Sequence, residues 1–485
     1  MAHRSVLIVG AGVAGLTAGS YLARKGFKVK VLEANSKIGG CCGATEIGGF
    51  KFNDGAQYLI YPKLLDMVFS QLGFDRAELL PLRRVTSPVA THLPNGISVS
   101  IGENLSITVK NGAVNIPRAQ HELNEAFNKW SPVEDILTGE EIMLKPFSAA
   151  RLLLKIWKSL PKMGRSLEAE LMAAFSDPSI RSAMAAQLLY AGAPLNRLPS
   201  VSIIALIGAL KHGTALPVGG MGKIPEALAH TLVRNGGELL LNTRVKNIRV
   251  KNGRVEGLQT EEHGFIEGDF VISTVNAMTT YQYLLDKSDQ PAQMMRKVNR
   301  TPTSSRAFCL QLGLSNRLNA DSHIHYVSPM MGDLDKFIRP AQDNASQGYY
   351  SIPTVIAPEL APVNGSIVEY APVIRQDESL DAWSDERIQR LANDSVEWLR
   401  SRLTLNVEVT RIRSPREFAS QLNLYRGAIY GVSATKGLTG LFPHKTPIGG
   451  LFLAGQTTFP GLGVPTSALS GIHASNALAR GRYFA

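Results

Sequence analysis

The stretch SVLIVGAGVAGLTAGSYLARKGFKVKVLE (5–33) limits what this chain can fold into more than any other. Ser5 to Val9 are a short apolar run of strand type, followed by Gly10, Gly12 and Gly15 in the pattern G-x-G-x-x-G. Small and apolar residues continue at helical spacing from Val13 and Ala14 to about Lys25, and Gly26 closes that helix. Lys28 to Leu32 give a second strand, with Glu33 at its tip, 18 residues beyond Gly15. Each residue type has a physical task. Gly10 permits a tight turn, Gly12 lets backbone approach a diphosphate, and Gly15 lets helix and strand pack closely. The helix start offers unpaired N–H groups to an anion. An acid about 20 residues on accepts hydrogen bonds from a ribose. The spacing therefore predicts a strand–helix–strand dinucleotide site.

A second strand–loop–helix lies near the other end, in LFLAGQTTFPGLGVPTSALSG (451–471). The apolar run stops at Ala454-Gly455, the loop carries Gly461 and Gly463, and Pro465 suits a first helical turn. LPVGGMGKIPEALAHTLVRNGGELLLNTRVKNIRVKNGRVEGLQT (216–260) reads as glycine turn, helix, strand and hairpin. Gly236-Gly237 ends the helix and Asn252-Gly253 turns the hairpin. GDFVISTVNA (268–277) adds a buried strand. EANSKIGGCCGATEIGGFKFNDGAQYL (33–59) places Gly39-Gly40 after the acid, then a short hairpin running into Asp54-Gly55-Ala56-Gln57.

These segments resemble the FAD-binding parts of the amine-oxidase and phytoene-desaturase superfamily over residues 5–60, 215–277 and 425–478. PVGGMG, GGELLLNTRVKNI and GLFLAGQTTFPGLGVPTSALSGIHASNAL are most similar to carotenoid desaturases and carotenoid isomerases. Gln456 stands where typical amine oxidases carry an acid. The resemblance implies an α/β fold. A Rossmann-type (GR2-like) FAD-binding domain would come from 1–75, 215–290 and 425–485, with an inserted α+β substrate-binding domain from 76–214 and 291–424. It implies non-covalent FAD held by Gly10, Gly12, Val13, Ala14, Gly15, Glu33, Gly39, Gly40, Ala56, Gln57, Val245, Gly455, Gln456, Gly463 and Val464. The backbone of Val245 would meet adenine. N–H groups near Val464 would face the flavin N1–C2 carbonyl edge and stabilise the charge of reduced flavin. There are two departures. The usual Arg after the paired glycines is Cys41, which removes one diphosphate partner, and the usual F-D-x-G is Phe52-Asn53-Asp54-Gly55.

The activity so implied is FAD-dependent desaturation of C–C bonds in a carotenoid-like or other apolar polyene isoprenoid, with oxygen or a quinone accepting the electrons. Cis–trans isomerisation of the same substrate class and oxidation of an amine or amino-acid-derived substrate remain alternatives, since one fold serves many chemistries. Prenyl-lipid binding proteins without redox chemistry, such as the Rab escort proteins, also resemble this fold. The full glycine set, Glu33 and the C-terminal loop count against that reading. Desaturation needs a base, for which His212, His230 and His473 are candidates by type alone, His473 being better explained by packing. Arg306, in SSRAFCLQLGL, is the catalytic candidate, because it begins a strand near where amine oxidases place a flavin-facing lysine.

Between these segments lies more shape than motif; ESLDAWSDERIQRLANDSVEWLRSRLT (378–404) has helical spacing, with acids early and arginines late. The formal net charge of +11 asks for a partner. No zinc pattern, basic helix run or aromatic RNA-binding motif supports nucleic acid. An anionic membrane is better supported, by SAARLLLKIWKSLPKMGRSL (148–167). There Arg151, Lys155, Lys158, Lys162 and Arg165 recur every three or four residues. Leu152, Leu153, Ile156, Trp157, Leu160 and Met163 take the opposite side, and Pro161 divides the stripe into two short helices or one kinked one. Such a segment suits peripheral docking. Collecting an apolar substrate from lipid avoids a cost of ~0.8 kcal/mol per CH₂ in water. LPSVSIIALIGAL (198–210) is too short to span a bilayer and reads as a core helix. Three cysteines, two of them adjacent, suggest reduced thiols. With no metal-ligand spacing and no secretory pattern, a metal-free cytoplasmic protein is expected.

Overall fold

Three distant parts of the chain meet in one parallel sheet in the computed structural model, which describes residues 4–480 except 103–104, 146–147, 189–192, 335–337 and 339. The strand order is Glu238–Leu240, Lys28–Leu32, Ser5–Val9, Phe270–Ser273 and Leu451–Leu453. Alternation along a strand sends successive side chains to opposite faces. Val6 and Ile8 pack under the helices Val13–Arg24, Lys223–Arg234 and Val464–Arg480. Leu7 and Val9 pack on the other face, against Ile248, Val255 and Leu258 of the hairpin Val245–Lys251/Arg254–Thr260. Burial on both faces explains why these strands are almost wholly apolar.

The C-terminal helix lies along the first one. Ser475 Oγ donates to the Ala18 carbonyl at 3.4 Å, and Tyr21 Oη donates to Asn476 Oδ1 at 2.8 Å. The helix Ala292–Arg300, beyond the expected boundary at 290, buries Met294 and Val298 in the same core, so this part of the molecule extends past that boundary.

The inserted part is built on a larger sheet, eight-stranded among the described residues. Its order is Val407–Arg413, Cys309–Leu314, Ser366–Val373, Asn344–Ser351, Ile324–Val327, Val89–His92, Ser98–Ile101 and Ile107–Lys110. All neighbours are antiparallel except Ile324–Val327 with Val89–His92. Helix Asp385–Arg400, capped by Ser384, lies within the 378–404 segment expected to be helical and buries Leu391 and Leu399 with Trp383. A three-stranded sheet of Leu59–Ile60, Thr214–Pro217 and Leu82–Val85 joins the two parts.

The basic segment forms helix Ala149–Ile156, a tight turn Trp157–Ser159 and a short helix Leu160–Met163. Its apolar side is divided, contrary to the single face expected. Ile156 is buried and Leu152 and Met163 are half-buried, whereas Leu153, Leu154, Trp157 and Leu160 stand exposed. Lys155 pairs with Glu141, Lys158 lies 5.5 Å from the Trp157 ring centroid, and the Lys162 side chain is outside the described residues. The 198–210 run forms a turn, Ser200–Ile203, leading into helix Ile204–His212, with Ile203, Leu206 and Ile207 in the core. Among the described residues no helix is long and apolar enough to cross a membrane.

Candidate functional site

A cavity of ≈ 760 Å³ takes its walls from both parts of the molecule. One end is the turn after Ser5–Val9 and the loops facing it. Gly10, Gly12, Val13, Ala14, Glu33, Gly39, Gly40, Ala56, Gln57, Val245, Gly455, Gln456, Gly463 and Val464 all lie in the wall, and so does Arg306. Gly15 does not line it. Its role is packing, since a Cβ there would sit 2.0 Å from the Gly10 carbonyl oxygen.

Gly12 shows whether this cradle fits a dinucleotide. Its φ of −72° suits any residue, and a Cβ would meet no atom within 4 Å. The protein's own packing does not require glycine there, whereas a closely approaching ligand does. Glu33 is almost buried, with Oε2 accepting from Ala11 N at 2.8 Å and Oε1 from Asn35 N at 2.9 Å. These two bonds fix the carboxylate at the strand tip with lone pairs to spare for a ribose. Gly463 and Val464 present the start of helix Val464–Arg480 to the cavity. A dinucleotide fits the residues present.

The other end is apolar and aromatic, lined by Ile60, Leu64, Val373, Ile374 and the tyrosines 58, 61, 326, 349 and 430. Burial pushes the phenols of Tyr58, Tyr326, Tyr349 and Tyr430 up, and Tyr326 donates a hydrogen bond to Tyr58. These phenols keep their protons and act as donors, not bases. Burial likewise raises the Cys41 thiol to about 11 and Cys42 further, which suits inert thiols.

Arg306 does not begin a strand; the strand starts at Cys309. Its Nε donates to the Arg426 carbonyl at 2.8 Å and its Nη1 to the Glu378 carbonyl. Two guanidinium donors are thus committed to bracing neighbouring loops. None of the three histidines lines the cavity. His212 Nε2 lies 3.0 Å from Oε1 of the fully buried Glu134, which Lys63 and Lys211 also approach. His230 is exposed on helix Lys223–Arg234, and His473 Nε2 bonds the Met143 carbonyl oxygen at 2.8 Å.

Sequence reasoning missed a polar group that includes Asn53, Asp54, Gln311 and Arg413 of the cavity wall. Glu369 is fully buried and accepts from Gln311 Nε2 at 2.7 Å, Asn53 N at 3.2 Å and Asn53 Nδ2 at 3.3 Å. Burial raises its pKa. Asp54 Oδ1 accepts from Thr45 Oγ1 at 2.9 Å, Arg411 Nη2 at 2.6 Å and Arg413 Nη1 at 3.0 Å. The available signal was two arginines at i and i+2 of one strand, which places both on one sheet face.

The sequence model for flavin containing amine oxidoreductases matches residues 13–479. A zeta-carotene-forming phytoene desaturase of Myxococcus xanthus is 26% identical over 490 residues, covering 96% of this chain and 92% of that one. A 4,4'-diapophytoene desaturase (4,4'-diapolycopene-forming) of Methylomonas sp is 25% identical, covering 96% and 93%. In fold, an oxidoreductase from Methanosarcina mazei superposes with a TM-score of 0.65 at 17% identity, covering 97% of this chain and all of that one. With the cradle, the closing C-terminal helix and these likenesses together, the chain belongs to the family of flavin-containing amine oxidoreductases.

Proposed function

We propose that the protein is an FAD-dependent oxidoreductase that introduces double bonds into an apolar polyene isoprenoid. The observation that carries this reading is a single cavity with a dinucleotide cradle at one end and an apolar, tyrosine-lined compartment at the other. Likeness to carotenoid desaturases over nearly the whole chain supports the substrate class. A bound FAD supplies the hydride acceptor. The protein's own residues do the positioning. Gly10, Gly12 and the helix start at Val13 would hold the diphosphate, and Glu33 would accept from a ribose. The N-terminus of helix Val464–Arg480, which opens on the cavity, would favour negative charge on a flavin bound there. Leu64, Val373, Ile374 and the aromatic walls exclude water and hold an extended chain. Tyr58 and Tyr430 line this compartment as protonated phenols.

The exposed Leu153, Leu154, Trp157 and Leu160, flanked by Lys155 and Lys158, support docking on an anionic membrane from which the substrate is drawn. Oxygen or a quinone is the electron acceptor in this reading. The test is incubation of the flavin-loaded protein with acyclic polyenes, with and without oxygen or a quinone, followed by mass spectrometry. Loss of two hydrogens per new double bond is expected. An unchanged mass with altered chromatographic retention would mean isomerisation instead, and no change with any polyene would sink the assignment.

A further inference from the structure

The cradle has a cation that neither the glycine motif nor the family pattern announces. Arg413 ends the strand Val407–Arg413 and is paired in register with Cys309. Only 2% of it is exposed, yet it lines the cavity. Nη1 donates to Asp54 Oδ1 at 3.0 Å, while Nε and Nη2 meet no hydrogen-bond acceptor among the described residues. Leaving charged N–H groups buried and unmatched is costly, so a site that keeps them has a use for them. Arg411, two residues earlier, already serves Asp54 at 2.6 Å, so Arg413 is not needed to satisfy that carboxylate.

Its surroundings say what the two unmatched donors face. The guanidinium lies 5.0 Å from the Phe418 ring centroid, and Phe418, Cys309 and Cys41 pack in one small cluster. Its charge also acts on the Cys41 thiol. Cys41 directly follows Gly40, whose missing Cβ would sit 3.7 Å from Gly12 Cα, at the cradle itself. By the resemblance, position 41 would carry a diphosphate-binding Arg, and this chain has Cys41 there. Of the other arginines in the cavity wall, Arg306 is committed to backbone carbonyls and Arg244 lies beside Glu261.

We infer that Arg413, reaching across from the inserted sheet, binds the FAD diphosphate in place of the arginine replaced by Cys41. The inserted part of the molecule then contributes a cofactor ligand, and cofactor binding ties the two parts together. The inference rests on FAD being the bound cofactor.

The test is equilibrium binding to apoprotein of FAD and, separately, riboflavin, which has no phosphate. Arg413→Met should weaken FAD binding about a hundredfold, as expected for loss of charge-assisted hydrogen bonds, with riboflavin binding changed less than threefold. Cys41→Arg added to Arg413→Met should recover most of the lost FAD affinity. The melting temperature of apo Arg413→Met should equal or exceed that of the wild type, because an unmatched buried charge is gone. Should Arg413→Met fail to fold, Arg413→Lys, which keeps the charge but not the paired N–H geometry, carries the same comparison. Unchanged FAD affinity, an equal loss for riboflavin, or no recovery with Cys41→Arg would each overturn the inference while leaving the oxidoreductase reading intact. A wild-type protein that binds no FAD would overturn both.

Discussion

Gly12 and Gly15 are three residues apart and answer to different masters. A Cβ on Gly12 points into empty space, whereas one on Gly15 would overlap the Gly10 carbonyl. Gly12→Val should therefore leave the apoprotein's unfolding midpoint nearly unchanged and abolish flavin retention, read from the visible spectrum of the purified protein. Gly15→Ala should lower stability by about 3 kcal/mol, as overpacking of a close helix–strand contact does, measured by denaturant unfolding of the apoprotein. The placement of Gly12, Gly15 and Glu33 could be read from the sequence because it depends on spacing within one short unit. Arg413 could not, because its meaning depends on pairing with Cys309, 104 positions away, and on Phe418 beneath it. Arg306 misled for the reverse reason. Its neighbourhood in sequence suggested a strand, and its real partners, Arg426 and Glu378, come from loops more than 70 residues off.

At the level of elements, helix Ile204–His212 and the segment 149–163 show what periodicity hides. Tyr61 has a left-handed backbone (φ +60°), and its hydroxyl donates to the Ile204 carbonyl at 2.6 Å. Its ring crosses the helix at Gly208, where a Cβ would sit 2.0 Å from ring atoms. Gly208→Ala should favour the helix by about 1 kcal/mol yet drive the Tyr61 ring toward the cavity it lines. The expected outcome is roughly tenfold weaker binding of a long apolar ligand with normal flavin content, followed by titration of the flavin absorbance. In the basic segment, Pro161 left two short helices or one kinked one open; the structure has two, divided at Trp157–Ser159, with Pro161 in the first turn of the second. The pattern could not show that Ile156 turns inward while Leu154 turns out, because that is decided by what the helix packs on. Leu154→Ser with Trp157→Ser should reduce binding to anionic vesicles by at least tenfold. Unchanged flotation with liposomes would remove this face as the docking site.

For the whole molecule, the inserted sheet carries a pH dependence. Burial lowers His323 and His325 to about 4, and His325 Nδ1 lies 3.2 Å from Nε2 of His92, whose pKa burial also lowers. Unfolded, these rings gain protons below about 6.5; folded, His323 and His325 gain them only near 4, and His92 below its ordinary value. The unfolded state therefore holds more protons between those values, and stability rises with pH there. The contribution is complete above about 6.5 and lost progressively toward 4, so the melting temperature should fall across that window. His323→Phe should flatten the fall.

A ribosome completes the parallel sheet only at its fifth strand, Leu451–Leu453, and then makes the helix that lies on the first one. Until that late stretch clears the exit tunnel, the nascent amino-terminal unit has no partner along one edge and one helix face. Messages truncated before residue 451 should accordingly yield colourless, chaperone-bound or insoluble chains, however faithfully their first thirty-odd codons encode the nucleotide turn.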